Sequence, residues 1–263
     1  SSENHFNVCL DFDKMPGALW FPGAKLNFAE NLLRFSDKTT AIKFYGESKV
    51  YKELTYCQLY TEVQKFAFSL RSSGVTKGDR VAGFIPNMPE AVIAMLASAS
   101  IGAIWSSCSP DFGINAVLDR FTQIQPKLLI SSDGYYFKGK SINSLSKVKT
   151  LLERIPSIEK AVITKYTFDG DIKDIPSSVW WDDFSKSTNE SLVFEQLPFN
   201  HPLYILYSSG TTGKPKSIVH SSGGTLIQHL KELILHTDLK RNDVIFYFTT
   251  CGWMMWNWLV SSL

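Results

Sequence analysis

No two cysteines in this chain lie at the spacing of a metal site or a redox pair. Cys9, Cys57, Cys108 and Cys251 are widely scattered and form no CxxC. That excludes a zinc ribbon and argues against a disulfide scaffold. Buried free thiols in a reducing compartment, the cytosol, are expected instead. A charge excess is missing too. The 27 basic residues face 25 acidic ones, a net charge of +2. This is too little to attract nucleic acid or an anionic membrane, so any cationic site must be local. No signal or transit peptide is read at the start. Two catalytic signatures are absent as well: no serine sits in GxSxG, and no HExxH occurs. His229 and His236 lie seven apart with Glu232 between them. A solvated or half-buried helix face is the expected reading there, with no metal site. His220 is expected to make a structural contact near a helix start.

Long uncharged runs are present, at 91–109 and 244–263. About 18 apolar residues in a row would suggest a membrane span. Here Ser, Thr, Asn and Cys interrupt both runs. Each also divides at a glycine, Gly102 or Gly252, into a plausible helix and a plausible strand. Buried elements of a mixed fold are expected, and no membrane span.

The rest of the chain alternates strands and helices. Residues 1–36 have weak periodicity and two prolines, Pro16 and Pro22, and read as an arm closed by "LNFAENLLRF". Thr55 and Gln58 form a capping box. Leu59, Val63, Phe66 and Leu70 then share one helical face, and Gly74 can end that helix. "RVAGFI" reads as a strand, and Asn87 with Glu90 as the start of the next helix. "AIWSSCS" is a strand; Ile114, Val117, Leu118, Phe121 and Ile124 make a helical stripe; "KLLIS" is a strand. A helix over Ile142, Leu145, Val148, Leu151, Leu152 and Ile155 precedes the strand "KAVITK". Residues 166–200 are polar and read as a connection. Then come strand "LYILYSS", a glycine-rich loop, helix "TLIQHLKELILH" and strand "DVIFYFTT". Repeated βα units with short apolar strands predict an α/β fold with layered βα units and largely parallel sheets. The first residue is not methionine, and Leu263 lies in an apolar segment without a capping glycine. The chain therefore reads as a piece of a longer protein.

The densest cluster of anion-binding chemistry is "YSSGTTGKPKS", residues 207–217. Glycines let backbone approach an anion, hydroxyls donate hydrogen bonds, and lysines add charge. A Walker A loop, GxxxxGK[ST], matches Gly210 to Ser217 in length and at both ends. However, Pro215 stands at a position where the phosphate nest needs an amide donor, and proline has none. A plain Ser/Thr/Gly surface loop remains open, though the density of donors directly after an apolar strand argues against it.

The same eleven residues resemble the phosphate loop of the adenylate-forming (AMP-binding, acyl-CoA synthetase) superfamily, roughly [YF][TS]SG[ST]TGxPKG. Ten positions fit, and Ser217 departs where glycine is usual. "LNFAENLLR" and the βαβ run at 78–107 resemble the acetyl-CoA-synthetase type. "SPDFG" at 109–113 and "GWMMWNW" at 252–258 resemble members that activate acetoacetate. The resemblance implies that 1–36 is an arm of that type and 37–263 the first part of a truncated adenylation domain. It implies a two-step ligase reaction with acetoacetate, ATP, Mg²⁺ and coenzyme A. Another short acid, acetate or propionate, and a non-catalytic nucleotide-binding fragment are the alternatives. Ser208, Ser209, Gly210, Thr211, Thr212, Gly213 and Lys214 would then hold the β- and γ-phosphates, with Thr212 the leading hydroxyl contact and Lys216 bracing the loop. Trp253, Met254 and Met255 would wall an acyl pocket, while Trp256 and Trp258 read as core. Asp111 and Phe112 would lie near the coenzyme A nucleotide. The family's later motifs are not in these 263 residues, so no ligase activity is expected of them alone. Oligomeric state is not legible.

Overall fold

A computed structural model describes residues 8–47, 50–167, 170–208 and 213–263. Its centre is a seven-stranded sheet. In chain order the strands are β1 (Arg80–Phe84), β2 (Ile104–Cys108), β3 (Leu128–Ser132), β4 (Lys160–Thr164), β5 (Ser178–Trp180), β6 (Pro202–Ser208) and β7 (Lys216–Ser221). Their spatial order is β5-β4-β3-β1-β2-β6-β7. The first six run parallel, as the apolar strands predict. β7 returns antiparallel to β6.

Helices cover both faces because strand residues alternate between two apolar layers. Val81, Leu128, Ile130 and Val162 face one layer with α1 (Tyr56–Ser72), α2 (Pro89–Ser100) and α6 (Met254–Val260). Ala82, Phe84, Leu129 and Ile163 face the other, with α3 (Ile114–Ile124) and α4 (Leu145–Arg154). The capping box forms as the sequence predicts: the Gln58 amide donates to Thr55 Oγ1, and the Gln58 side chain accepts from the Thr55 amide. Leu59, Val63, Phe66 and Leu70 are fully buried below it. Gly74 follows the helix at φ +79°, a left-handed backbone that glycine adopts without strain. α2 is buried on every side, as its run of small and apolar residues requires. Gly102 (φ +76°) turns the chain directly into β2.

Several expectations are corrected. Asn87 caps no helix; Met88 takes that place and Pro89 opens α2. The Asn87 side chain instead accepts 2.9 Å from Trp256 Nε1, bridging to the aromatic segment. Ile142 lies in a small hairpin, Gly134–Phe137 with Lys140–Asn143, so α4 begins only at Leu145. The polar connection contributes an edge strand, β5. "DVIFYFTT" joins no ladder among the described residues: Val244, Phe246 and Phe248 alternate on an exposed edge at 81%, 81% and 88%. Its residue types favour extension, but a strand exists only when backbone groups find partners. Of the cysteines only Cys108 and Cys251 are buried, and Cys57 is exposed. The histidine-bearing helix, α5 (Ser222–Leu230), starts earlier than expected and loosens into a π turn at Lys231–His236. His229 is buried rather than solvated, 2.7 Å from Ser261 Oγ. His220 lies on β7 with its ring 5.0 Å from that of Tyr204, a packing contact.

Candidate active site

The glycine-rich loop connects two antiparallel strands. β6 ends at Ser208 and β7 starts at Lys216, and these two residues pair directly. The segment "KSIVHS", of which only Lys216 and Ser217 belong to the loop read from sequence, is thus the return strand of a hairpin. A Walker loop runs from a strand into a helix, so this topology removes that reading by a route independent of Pro215. Ser209, Gly210, Thr211 and Thr212 lie outside the described residues. Gly213 follows at φ +150°, with open space where a Cβ would stand. Lys214 and Lys216 are exposed.

The hairpin is tied to α3. Gln123 Nε2 donates 2.9 Å to the Pro215 carbonyl, and Ser217 Oγ donates 3.1 Å to Gln123 Oε1. At its root, Tyr207 lies with its hydroxyl 3.1 Å from Ser106 Oγ on β2. Burial pushes this phenol well above its ordinary range, so it stays neutral. The Arg120 guanidinium sits 5.6 Å from the Tyr207 ring centre and 5.0 Å from that of Phe112, within cation–π range. Arg120 therefore links the hairpin root to the turn after β2.

That turn holds two of the predicted residues. Asp111 is exposed and Phe112 half-buried. Lys147 fixes the turn by donating 2.9 Å to the Pro110 carbonyl and 3.1 Å to that of Phe112. Burial lowers the Lys147 pKa, and the Asp111 carboxylate opposes this.

The third part is the segment before α6. Ser107 Oγ donates 2.6 Å to the Cys251 carbonyl. A Cβ on Gly252 would meet Ser109 N at 3.5 Å and Phe112 Cζ at 3.8 Å. The segment thus crosses the carboxyl ends of the parallel strands, where open α/β sheets bind ligands. Trp253 stands at the N-cap of α6 at this edge, 65% exposed. Met254 is exposed beside it and Met255 is half-buried. Trp256 belongs to the core, stacked on Trp105 with ring centres 6.5 Å apart. Trp258 is half-buried against Tyr247. Burial pushes the Cys108 thiol up to about 12, which disqualifies it as a nucleophile.

The structure therefore brings Ser208, Gly213, Asp111, Phe112 and Trp253 to one edge of the sheet. Sequence reasoning missed Arg120, Gln123 and Lys147. Arg120 and Gln123 are three apart on the polar side of the α3 stripe, a spacing that puts both on one helix face. Nothing in sequence said which loop that face meets. Among the described residues no group of three or more His, Cys, Asp or Glu could hold a metal ion, and no helix is long and apolar enough to cross a membrane.

Comparison with known proteins gives this edge its family. The model of the family described as AMP-binding enzyme matches residues 28–261. The chain belongs to the AMP-binding enzyme family. Among its relatives, an acetoacetyl-CoA synthetase of Danio rerio is 51% identical over 255 residues, covering 93% of this chain and 38% of the relative. A malonamoyl-CoA synthetase of Penicillium aethiopicum is 41% identical over 263 residues, covering 94% and 36%. The structure of acetoacetyl-CoA synthetase from Streptomyces lividans matches with a TM-score of 0.92 at 43% identity, over 97% of this chain and 39% of that one. This chain thus spans about two fifths of the length of the relatives it matches.

Proposed function

We propose that the full-length protein carrying these residues is an ATP-dependent acetoacetate–CoA ligase. It would convert acetoacetate, ATP and coenzyme A to acetoacetyl-CoA, AMP and pyrophosphate through an acyl-adenylate. The observation that carries the reading is the β6–β7 hairpin, which turns back after Ser208 at the carboxyl end of the parallel strands, the edge that also carries Trp253. The acetoacetyl-CoA synthetases among the relatives support the choice of acid.

In the first step the acid carboxylate attacks the α-phosphorus of ATP, and pyrophosphate leaves. Two anions must meet, so their repulsion has to be offset by fixed donors and positive charge. Loop amides and hydroxyls from Ser208 to Gly213, with Thr212 foremost, would hold the β- and γ-phosphates. Lys214 would sit beside them, and Lys216 would brace the hairpin. Gln123 and Arg120 would keep the loop's base in register with α3. Mg²⁺ carried with the nucleotide would supply further charge neutralisation, with phosphate oxygens and loop hydroxyls as its ligands. In the second step the coenzyme A thiol displaces AMP from the acyl-adenylate. Asp111 and Phe112 would lie along the nucleotide portion of coenzyme A. Trp253, Met254 and Met255 would wall the acyl pocket, where flexible methionines accommodate an acid larger than acetate. Residues 1–36 would serve as an arm and 37–263 as the first part of the adenylation domain.

The test is acid-dependent exchange of pyrophosphate into ATP by the full-length protein. Acetoacetate is expected to support faster exchange than acetate or propionate. Faster exchange with propionate would remove acetoacetate as the substrate while keeping the ligase reading.

A further inference from the structure

Two polar side chains flank Trp253 without protein partners. Asn257 is 1% exposed, and neither its Oδ1 nor its Nδ2 makes a hydrogen bond. Thr250 Oγ1 is likewise buried and unpaired. A buried amide without partners is costly, so native proteins rarely keep one for packing alone. Two polar groups beside them in sequence are satisfied elsewhere. Trp256 Nε1 donates to Asn87, and Ser261 Oγ donates to the Asn257 carbonyl and meets His229. Asn257 lies three residues after Met254 on α6, so the two share a helix face. Thr250 begins the turn that carries Trp253, whose amide donates 3.1 Å to the Thr250 carbonyl. Asn257 thus shares a helix face with Met254, and Thr250 shares a turn with Trp253.

The acyl groups named for the two kinds of relatives differ at their ends, one a methyl ketone and the other a primary amide. They share a carbonyl at C3. An apolar pocket cannot choose strongly for that oxygen, whereas a buried donor left unpaired by any other acid can. Resting on the ligase reading above, we propose that Asn257 Nδ2, seconded by Thr250 Oγ1, donates to the C3 carbonyl oxygen of the acyl substrate and makes the enzyme selective for 3-oxo acids.

The test compares acetoacetate with butyrate, which has the same chain and lacks the ketone, in pyrophosphate exchange by the full-length enzyme. The parent should favour acetoacetate in kcat/KM by tenfold or more, on the order expected for a site built around one buried donor. Asn257→Leu and Asn257→Asp should each lower that ratio by roughly ten- to a hundredfold. Asn257→Leu should retain the exchange rate with butyrate. Because Asn257 has no protein hydrogen bond to lose, the ligand-free Tm of the leucine variant should not fall; a structural role would lower it. An unchanged acetoacetate-to-butyrate ratio in either variant overturns the proposal, as does loss of both activities together with a lower Tm in both. A parent that does not prefer acetoacetate over butyrate instead overturns the choice of acid on which the proposal rests.

Discussion

Replacing Gly83 with alanine should damage the candidate site from inside the core. Gly83 lies in β1, next to β2. A Cβ there would stand 2.6 Å from Cζ2 and 2.7 Å from Cη2 of Trp105. Carbon atoms at that distance overlap severely, so the indole must move. It has little freedom: Trp105 is buried, stacked on Trp256, and donates 3.1 Å from Nε1 to Ser107 Oγ. Ser107 in turn holds the Cys251 carbonyl. A displaced indole therefore pushes on both anchors of the segment that presents Trp253. Overpacking a dense core costs about 1–3 kcal/mol. At roughly 2–4 °C per kcal/mol for a unit of about this size, Tm should drop by about 2–12 °C. Thermal unfolding followed by near-UV circular dichroism reads both the midpoint and the tryptophan environment. The exchange rate should also fall, through a raised KM for the acid. A variant that melts within about 1 °C of the parent with an unchanged tryptophan spectrum would refute the reasoning.

Two further outcomes test other parts of the account. Burial, and then the proximity of His220, push His229 down to about 4, with Glu232 opposing. An unfolded chain holds its histidine near 6.5 and binds more protons between those values. Stability is therefore full above about pH 6.5 and declines as pH falls toward 4, by at most about 1.4 kcal/mol per pH unit. His229→Gln, which keeps a donor for Ser261, should flatten that slope in Tm measured from pH 7 to 5; equal slopes would contradict the assignment. Gln123→Ala removes the two hydrogen bonds between Gln123 and the hairpin and leaves the Arg120–Tyr207 contact in place. Exposed bonds contribute little to stability, so Tm should shift by less than about 1 kcal/mol equivalent, while KM for ATP rises several-fold; an unchanged KM for ATP would separate Gln123 from nucleotide binding.

The parts of the fold that were legible in sequence are those whose pattern is local. The stripe of α1 with its capping box, the stripe of α3 and the apolar runs of β1 to β4 each specify their own geometry. What failed depended on partners. "KSIVHS" alternates too weakly to announce a strand and becomes one because β6 offers it an edge. "DVIFYFTT" has strand composition, yet no described neighbour pairs with its backbone. Asn87 has the side chain of a helix cap, but the Trp256 indole, distant in sequence, takes its oxygen. The site divides the same way. The glycine-rich motif, proposed here to hold phosphate, could be singled out because its residues are eleven consecutive ones. Arg120, Gln123, Lys147 and Asn257 were not, since each matters only through contacts or burial that folding creates.

The central claim is that this hairpin loop serves adenylation and not transfer of a terminal phosphoryl group. Product analysis tests it most directly. The full-length protein, given acetoacetate, ATP, Mg²⁺ and coenzyme A, should form AMP, pyrophosphate and acetoacetyl-CoA in equal amounts. Formation of ADP and orthophosphate, with no AMP, would contradict it.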